Sequence, residues 1–191
     1  MMSAPLHKIY YTYAEYIAFE RGSNVKHEYL DGQIYAMAGG TPEHAALASA
    51  ASGQLYAQLR GGPCRAYDSD LRVRTHSGLT TYPDVTVVCG PSQRDQEDAL
   101  AVTNPILLLE VLSRSTAEYD AGEKFEHYKT LPSLRQYVLV SYPEHSLRVW
   151  TRSESGVWQS TDVREGEAAE LLVGAKLDVR ELYEAAAEPS A

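Results

Sequence analysis

From residue 105 to 113 the chain reads Pro-Ile-Leu-Leu-Leu-Glu-Val-Leu-Ser, an apolar run interrupted by a single acid. A strand with one wet face alternates apolar and polar residues, whereas a run apolar at every position belongs to a central strand covered on both faces. Residues 106–112 are therefore predicted as such a strand. Two shorter stretches, 26–30 and 33–37, flank Asp31-Gly32, the dipeptide that a two-residue hairpin demands. Leu47, Ala51, Leu55 and Leu59 recur every fourth position and mark one face of a helix. Thr41-Pro42 supplies its cap and first residue, and Gly61-Gly62-Pro63 stops it. Its alanines and serines let it approach a sheet closely. An earlier helix over 14–20 starts at Thr12, with Glu15 completing a capping box.

The remaining pattern predicts strands at 64–67, 71–75 and 83–88, a polar loop at 91–104, and a helix over 121–131. Strands at 136–141, 147–152 and 157–162 follow, then a helix at 179–186. Helices and strands intermingle in one unit with hairpins at both ends. The expected class is α/β (α+β), a mixed central sheet flanked by helices, in a single domain spanning 1–191 with its core at about 10–185.

Composition narrows the function classes. Hydrophobic residues make up 44% and charged residues 23%, as in ordinary globular proteins. A net charge of −9 excludes a protein that coats nucleic acid by bulk positive charge. Cys64 and Cys89 form no C-x-x-C pair, so neither a disulfide framework nor a thiolate zinc site is expected. No run is long and apolar enough to span a membrane, and the first residues have no apolar signal core; the expectation is a cytoplasmic protein without a membrane partner. The 14 tyrosines are scattered and are read as core packing rather than a base-stacking platform. From Glu165 onward, seven acids face Lys176 and Arg180, which suggests a solvated helix and frayed tail.

Several residues break the pattern around them. Glu110 sits inside the central apolar run, where an unpaired carboxylate costs several kcal/mol and calls for a cation, a proton or a metal. Asp84, in Tyr82-Pro83-Asp84-Val85-Thr86-Val87-Val88, opens a second strand. Asp120 with Glu123 can cap the helix that follows, which leaves Lys124 in its first turns, where the helix dipole disfavours a cation. Lys124 shares a line with Tyr128 and Leu131 and so faces the sheet, with Glu110 as its nearest candidate partner. His44 is the third residue of a helix, where neutral imidazole is favoured, and Glu28 lies on the hairpin opposite Tyr35. Arg72 and Arg74 share a strand face and, with Arg60 and Arg65, form the best local basic patch.

Pro83-Asp84, followed 26 residues later by Glu110-Val111-Leu112, resembles the PD-(D/E)XK nuclease superfamily. Within it the chain is similar to the Uma-type endonucleases, a bacterial family of restriction-endonuclease-like proteins. Glu28-Tyr29-Leu30-Asp31-Gly32, His44, Asp120, Lys124 with Tyr128, and Gln136-Tyr137-Val138-Leu139-Val140 extend the likeness over nearly the whole chain. The resemblance implies a restriction-endonuclease-like core and metal-dependent hydrolysis of DNA phosphodiesters. Asp84, Glu110 and the Val111 carbonyl would hold Mg²⁺ or Mn²⁺ as hard oxygen ligands. Lys124 would orient or deprotonate the water, or stabilise developing charge; Glu28 and His44 would assist, and Arg72 and Arg74 would meet phosphates. The superfamily lysine two residues after the acid is here Leu112, and the resemblance implies that its role has moved to Lys124. A homodimer would suit double-strand cutting. The alternatives are an inactive protein of this fold acting as a binding or scaffold module, and an unrelated hydrolase using Asp84 and Glu110 as an acid/base pair.

Overall fold

The structure, a computed structural model, describes residues 10–113 and 116–187. In chain order it runs α1 (Tyr13–Gly22), β1 (His27–Leu30), β2 (Gln33–Ala36), α2 (Pro42–Leu59), β3 (Cys64–Tyr67), β4 (Arg72–Arg74), β5 (Thr80–Thr81) and β6 (Val85–Cys89). Then come β7 (Ala101–Val102), β8 (Leu107–Leu112), α3 (Ala117–Ala121), α4 (Glu123–Lys129), β9 (Gln136–Ser141) and β10 (Ser146–Arg152). The chain closes with β11 (Trp158–Arg164), β12 (Ala168–Glu170), β13 (Lys176–Asp178) and α5 (Val179–Ala186).

The apolar run becomes β8, an inner strand of a six-stranded sheet ordered β11-β10-β9-β8-β6-β3. It pairs parallel to β9 and antiparallel to β6, which makes the sheet mixed. Strand periodicity divides β8 between two cores. Leu107, Leu109 and Val111 pack with Leu47, Ala51 and Leu55 of α2, while Leu108 packs with Phe125 and Tyr128 of α4. Each fully buried leucine contributes about 2 kcal/mol, so a register slip that turned this set outward would be strongly resisted. A five-stranded sheet ordered β2-β1-β5-β4-β7 carries the N-terminal hairpin.

The helix starts form as the caps predict. Thr12 and Glu15 make the reciprocal capping box of α1, and Thr41 Oγ1 accepts from His44 N–H at 3.3 Å. At the hairpin, Asp31 and Gly32 both take positive φ (48° and 78°), the conformation of a tight two-residue turn.

The structure departs from expectation in several places. The helix expected over 121–131 is two short helices broken at Gly122, whose backbone (φ −114°, ψ −99°) leaves the helical region. The 91–104 segment holds β7, which pairs parallel to β4. Cys64 and Cys89 form a disulfide, contrary to the reading of their spacing. They are direct partners across β3 and β6, and the flanking Gly90 N–H donates to Pro63 O at 2.8 Å. That places them at a non-hydrogen-bonded pair, where antiparallel strands bring side chains closest. Finally, α5 is not a solvated helix: Val179, Leu182 and Tyr183 are buried in the core shared with α2. Among the described residues, no helix is long and apolar enough to cross a membrane.

Candidate active site

Glu110 points from β8 toward α4, on the same face as Leu108. Its Oε1 lies 3.0 Å from Lys124 Nζ and accepts from the Tyr128 hydroxyl at 2.7 Å. Lys124 Nζ also lies 3.1 Å from Glu28 Oε1 and 3.4 Å from Asp120 Oδ1. The ammonium is thus enclosed by three carboxylates, with 6% of its side chain exposed. The dipole conflict of a lysine in a first helical turn is resolved by this acidic surround.

Each carboxylate has a separate structural origin. Glu28 is fixed by the hairpin register, Glu28 opposite Tyr35, and by a hydrogen bond from Thr81 Oγ1 on β5. Asp84 precedes β6; because Val85 pairs with Leu109, Asp84 falls beside Glu110. Its N–H donates to Glu110 Oε2 at 3.3 Å, and its Oδ2 accepts from Val111 N–H at 2.8 Å. His44 Nε2 reaches Asp84 Oδ2 at 3.3 Å from the start of α2. Asp120 is buried at the end of α3 and faces Lys124 instead of capping a helix, which corrects the sequence expectation. The i, i+4 spacing of Asp120 and Lys124 was the signal that could have found it.

The charges hold one another in place. Burial alone would push the Lys124 ammonium down, but Glu110, Glu28 and Asp120 raise it well above its ordinary value. Burial pushes Glu110 up to about 7, against the pull of Lys124 and with Asp84 and Asp120 adding to the rise. The hydrogen bond to Asp84 raises His44 despite its partial burial. Three carboxylates therefore surround one permanent cation and Asp84 adds a fourth beside Glu110, an acidic excess suited to a further cation.

The donor set defines what that cation can be. Asp84 and Glu110 supply carboxylate oxygens and Val111 a backbone carbonyl, all hard donors. Among the described residues, no three His, Cys, Asp or Glu side chains form a metal cage by themselves. A site of two carboxylates, one carbonyl and several waters is the pattern Mg²⁺ accepts, since it keeps part of its hydration shell.

The cluster opens into a cleft of about 2030 Å³ lined in part by His44, Asp84, Glu110, Lys124 and one face of α2. Arg72 and Arg74, expected to meet phosphates, do not line it and are paired with acids elsewhere. Arg72 is buried, ion-paired to Asp98, and donates to the Tyr82 hydroxyl at 2.8 Å. Arg74 pairs with Asp95 at 2.8 Å and Glu97 at 3.2 Å, over the Tyr13 ring. Trp150 and Trp158 are half-buried, pack on Phe125 and do not line the cleft.

The model of the Uma2 family, described as "Putative restriction endonuclease", matches residues 13–180. The chain belongs to the Uma2 family. Two Synechocystis sp. (strain ATCC 27184 / PCC 6803 / Kazusa) relatives carry the names "Uncharacterized protein slr1290" and "Uncharacterized protein sll1609". The first is 36% identical over 183 residues, 95% of this chain and 94% of its own. The second is 32% identical over 161 residues, 84% and 90% of the two chains. The crystal structure of a "putative nuclease belonging to DUF820" from Anabaena variabilis ATCC 29413 superposes with a TM-score of 0.75. It covers 91% of this chain and 97% of its own at 16% identity, and so shares the mixed α/β fold. In this Uma2 chain Leu112 follows Glu110 on β8, and the ammonium beside the acid comes from α4.

Proposed function

We propose that this Uma2 protein hydrolyses DNA phosphodiester bonds with Mg²⁺ or Mn²⁺, using the Asp84–Glu110–Lys124 cluster. The observation that carries the proposal is the Lys124 ammonium 3.0 Å from Glu110 Oε1, with Asp84 bonded to the same carboxylate's other oxygen.

Asp84, Glu110 and the Val111 carbonyl would hold the cation. When bound, it would supply charge neutralisation at the phosphoryl oxygens and a lowered pKa for water. Lys124 is held protonated by its acidic neighbours, so its part is to neutralise charge developing on the phosphate rather than to remove a proton. Glu28 and Asp120 fix the ammonium from two sides, and Tyr128 orients Glu110. His44, bonded to Asp84, would give a proton to or take one from a nearby solvent or leaving oxygen.

Leu112 on the strand favours the second reading, a non-catalytic binding module of the same fold. Nicking of supercoiled plasmid with Mg²⁺ or Mn²⁺ separates the two. Cleavage that requires the cation and disappears in both Glu110→Ala and Lys124→Ala supports hydrolysis. Absence of cleavage of both the plasmid and a single-stranded circular DNA by the folded wild type supports the binding module.

A further inference from the structure

The cleft is a poor host for a rigid duplex carrying phosphates on both flanks. Among the described residues seven acids line it, against Lys26 and Lys124 as cations. Neither ammonium serves the flanking phosphates: Lys26 lies 2.7 Å from Asp70, and Lys124 stands among its three carboxylates in the reacting cluster. What the walls do offer is aromatic surface. Tyr35 on β2, Tyr56 on α2 and Tyr142 after β9 line the cleft and are 53%, 62% and 45% exposed.

The α2 wall also has a direction. It begins with His44 beside Asp84 and continues through Ala45, Ala48, Ser52 and Gly53, small side chains that leave room along the helix. It ends at Tyr56, ~18 Å from His44 at 1.5 Å per residue. Tyr56 is shared with an adjoining hollow of about 380 Å³ lined by Arg60, Gly61, Gly62 and Arg65. Arg60 and Arg65 are exposed, and neither guanidinium has an acidic partner among the described residues.

Resting on the phosphodiesterase function proposed above, we infer that the cleft takes a single, unpaired nucleic-acid strand, which leaves the carboxylates along α2, stacks a base on Tyr56 and places phosphates on Arg60 and Arg65. Stacking on an aromatic ring needs a free base face, which a single strand offers and a paired duplex does not. Positive charge without an acidic partner enters at the exit, where the two arginines neutralise the backbone. Tyr35 and Tyr142 supply further exposed ring faces in the cleft lining.

Fluorescence anisotropy with the full chain in EDTA, using a fluorescein-labelled oligo(dT) strand and a hairpin duplex of equal length, tests this. The expected result is binding of oligo(dT) about tenfold or more tighter than the duplex. Tyr56→Ala weakens the single strand by about tenfold, and Tyr56→Phe restores it, because the ring and not the hydroxyl stacks. The double variant Arg60→Ala/Arg65→Ala lowers the slope of log affinity against log salt by about 1.4, at roughly 0.7 per phosphate on a single strand. Equal or tighter binding of the duplex, or oligo(dT) affinity unchanged in Tyr56→Ala, overturns the inference while cation-dependent nicking still upholds phosphodiester hydrolysis. Wild type that binds neither probe and nicks no plasmid overturns both.

Discussion

Lys124 Nζ lies 3.0 Å from Glu110 Oε1, although one residue stands on β8 and the other on α4. Removing the ammonium leaves Glu110, Glu28 and Asp120 facing one another with little solvent. Lys124→Met should therefore cost about 3–5 kcal/mol of folding stability near pH 8, the usual penalty for breaking a buried ion pair from one side. Urea denaturation measures it. Addition of Mg²⁺ should return part of the loss if the acidic excess can accept a cation. A loss below about 1 kcal/mol would mean that solvent reaches the cluster and screens it.

Protonation of Glu110 should be visible in stability. Its folded value, raised by burial to about 7, lies above the 4.5 of an ordinary glutamate. Between those values the native state binds more proton than the unfolded chain, so the contribution of Glu110 to stability falls as pH rises and levels off above about 7. The Tm of metal-free wild type should decline over that window more steeply than the Tm of Glu110→Gln. Parallel profiles would show that Glu110 is ionised throughout.

Arg72→Met should act on the fold and not on nucleic-acid affinity. It strands Asp98, which is fully buried, and removes the donor to Tyr82. The expected cost is about 3–5 kcal/mol in chemical denaturation, with the salt dependence of DNA binding unchanged. A reduced salt slope in a stable variant would restore Arg72 as a phosphate contact.

Asp84 and Asp120 should separate into two kinds of effect. Asp84→Asn removes a charged oxygen beside Glu110 and should weaken Mn²⁺ binding, read by calorimetry, as well as nicking. Asp120→Asn loosens the hold on Lys124 and should slow nicking by about tenfold or more while leaving Mn²⁺ affinity near wild type. Equal loss of Mn²⁺ affinity in both would make Asp120 part of the cation site.

The parts of the fold written in local chemistry were legible. The β8 run, the Asp31-Gly32 turn and the Thr41-Pro42 cap each carry their instruction within a few residues, and the structure follows them. The inward direction of Lys124 was also readable, because helical spacing places it with Tyr128. Asp120 was misread since an acid near a helix start satisfies a cap as well as an ion pair, and the break at Gly122 decides between them. The partners of Arg72 and Arg74 come from the 95–98 segment, and nothing local announces a pairing made by tertiary packing. Strands as short as β5, β7, β12 and β13 show too little periodicity to be seen in a sequence. The Cys64–Cys89 pair is invisible until the register of β3 against β6 is known.

The location of the ammonium has an evolutionary consequence. A lysine on the strand of the acid shares that strand's register, so a slip or bulge displaces both groups together. Here Glu110 belongs to a core strand that tolerates little change, while Lys124 belongs to a short helix joined to its neighbour at Gly122. Substitutions around that joint act on the ammonium without altering the register of the sheet. Inheritance can then retune one half of the machinery while the other half stays constant.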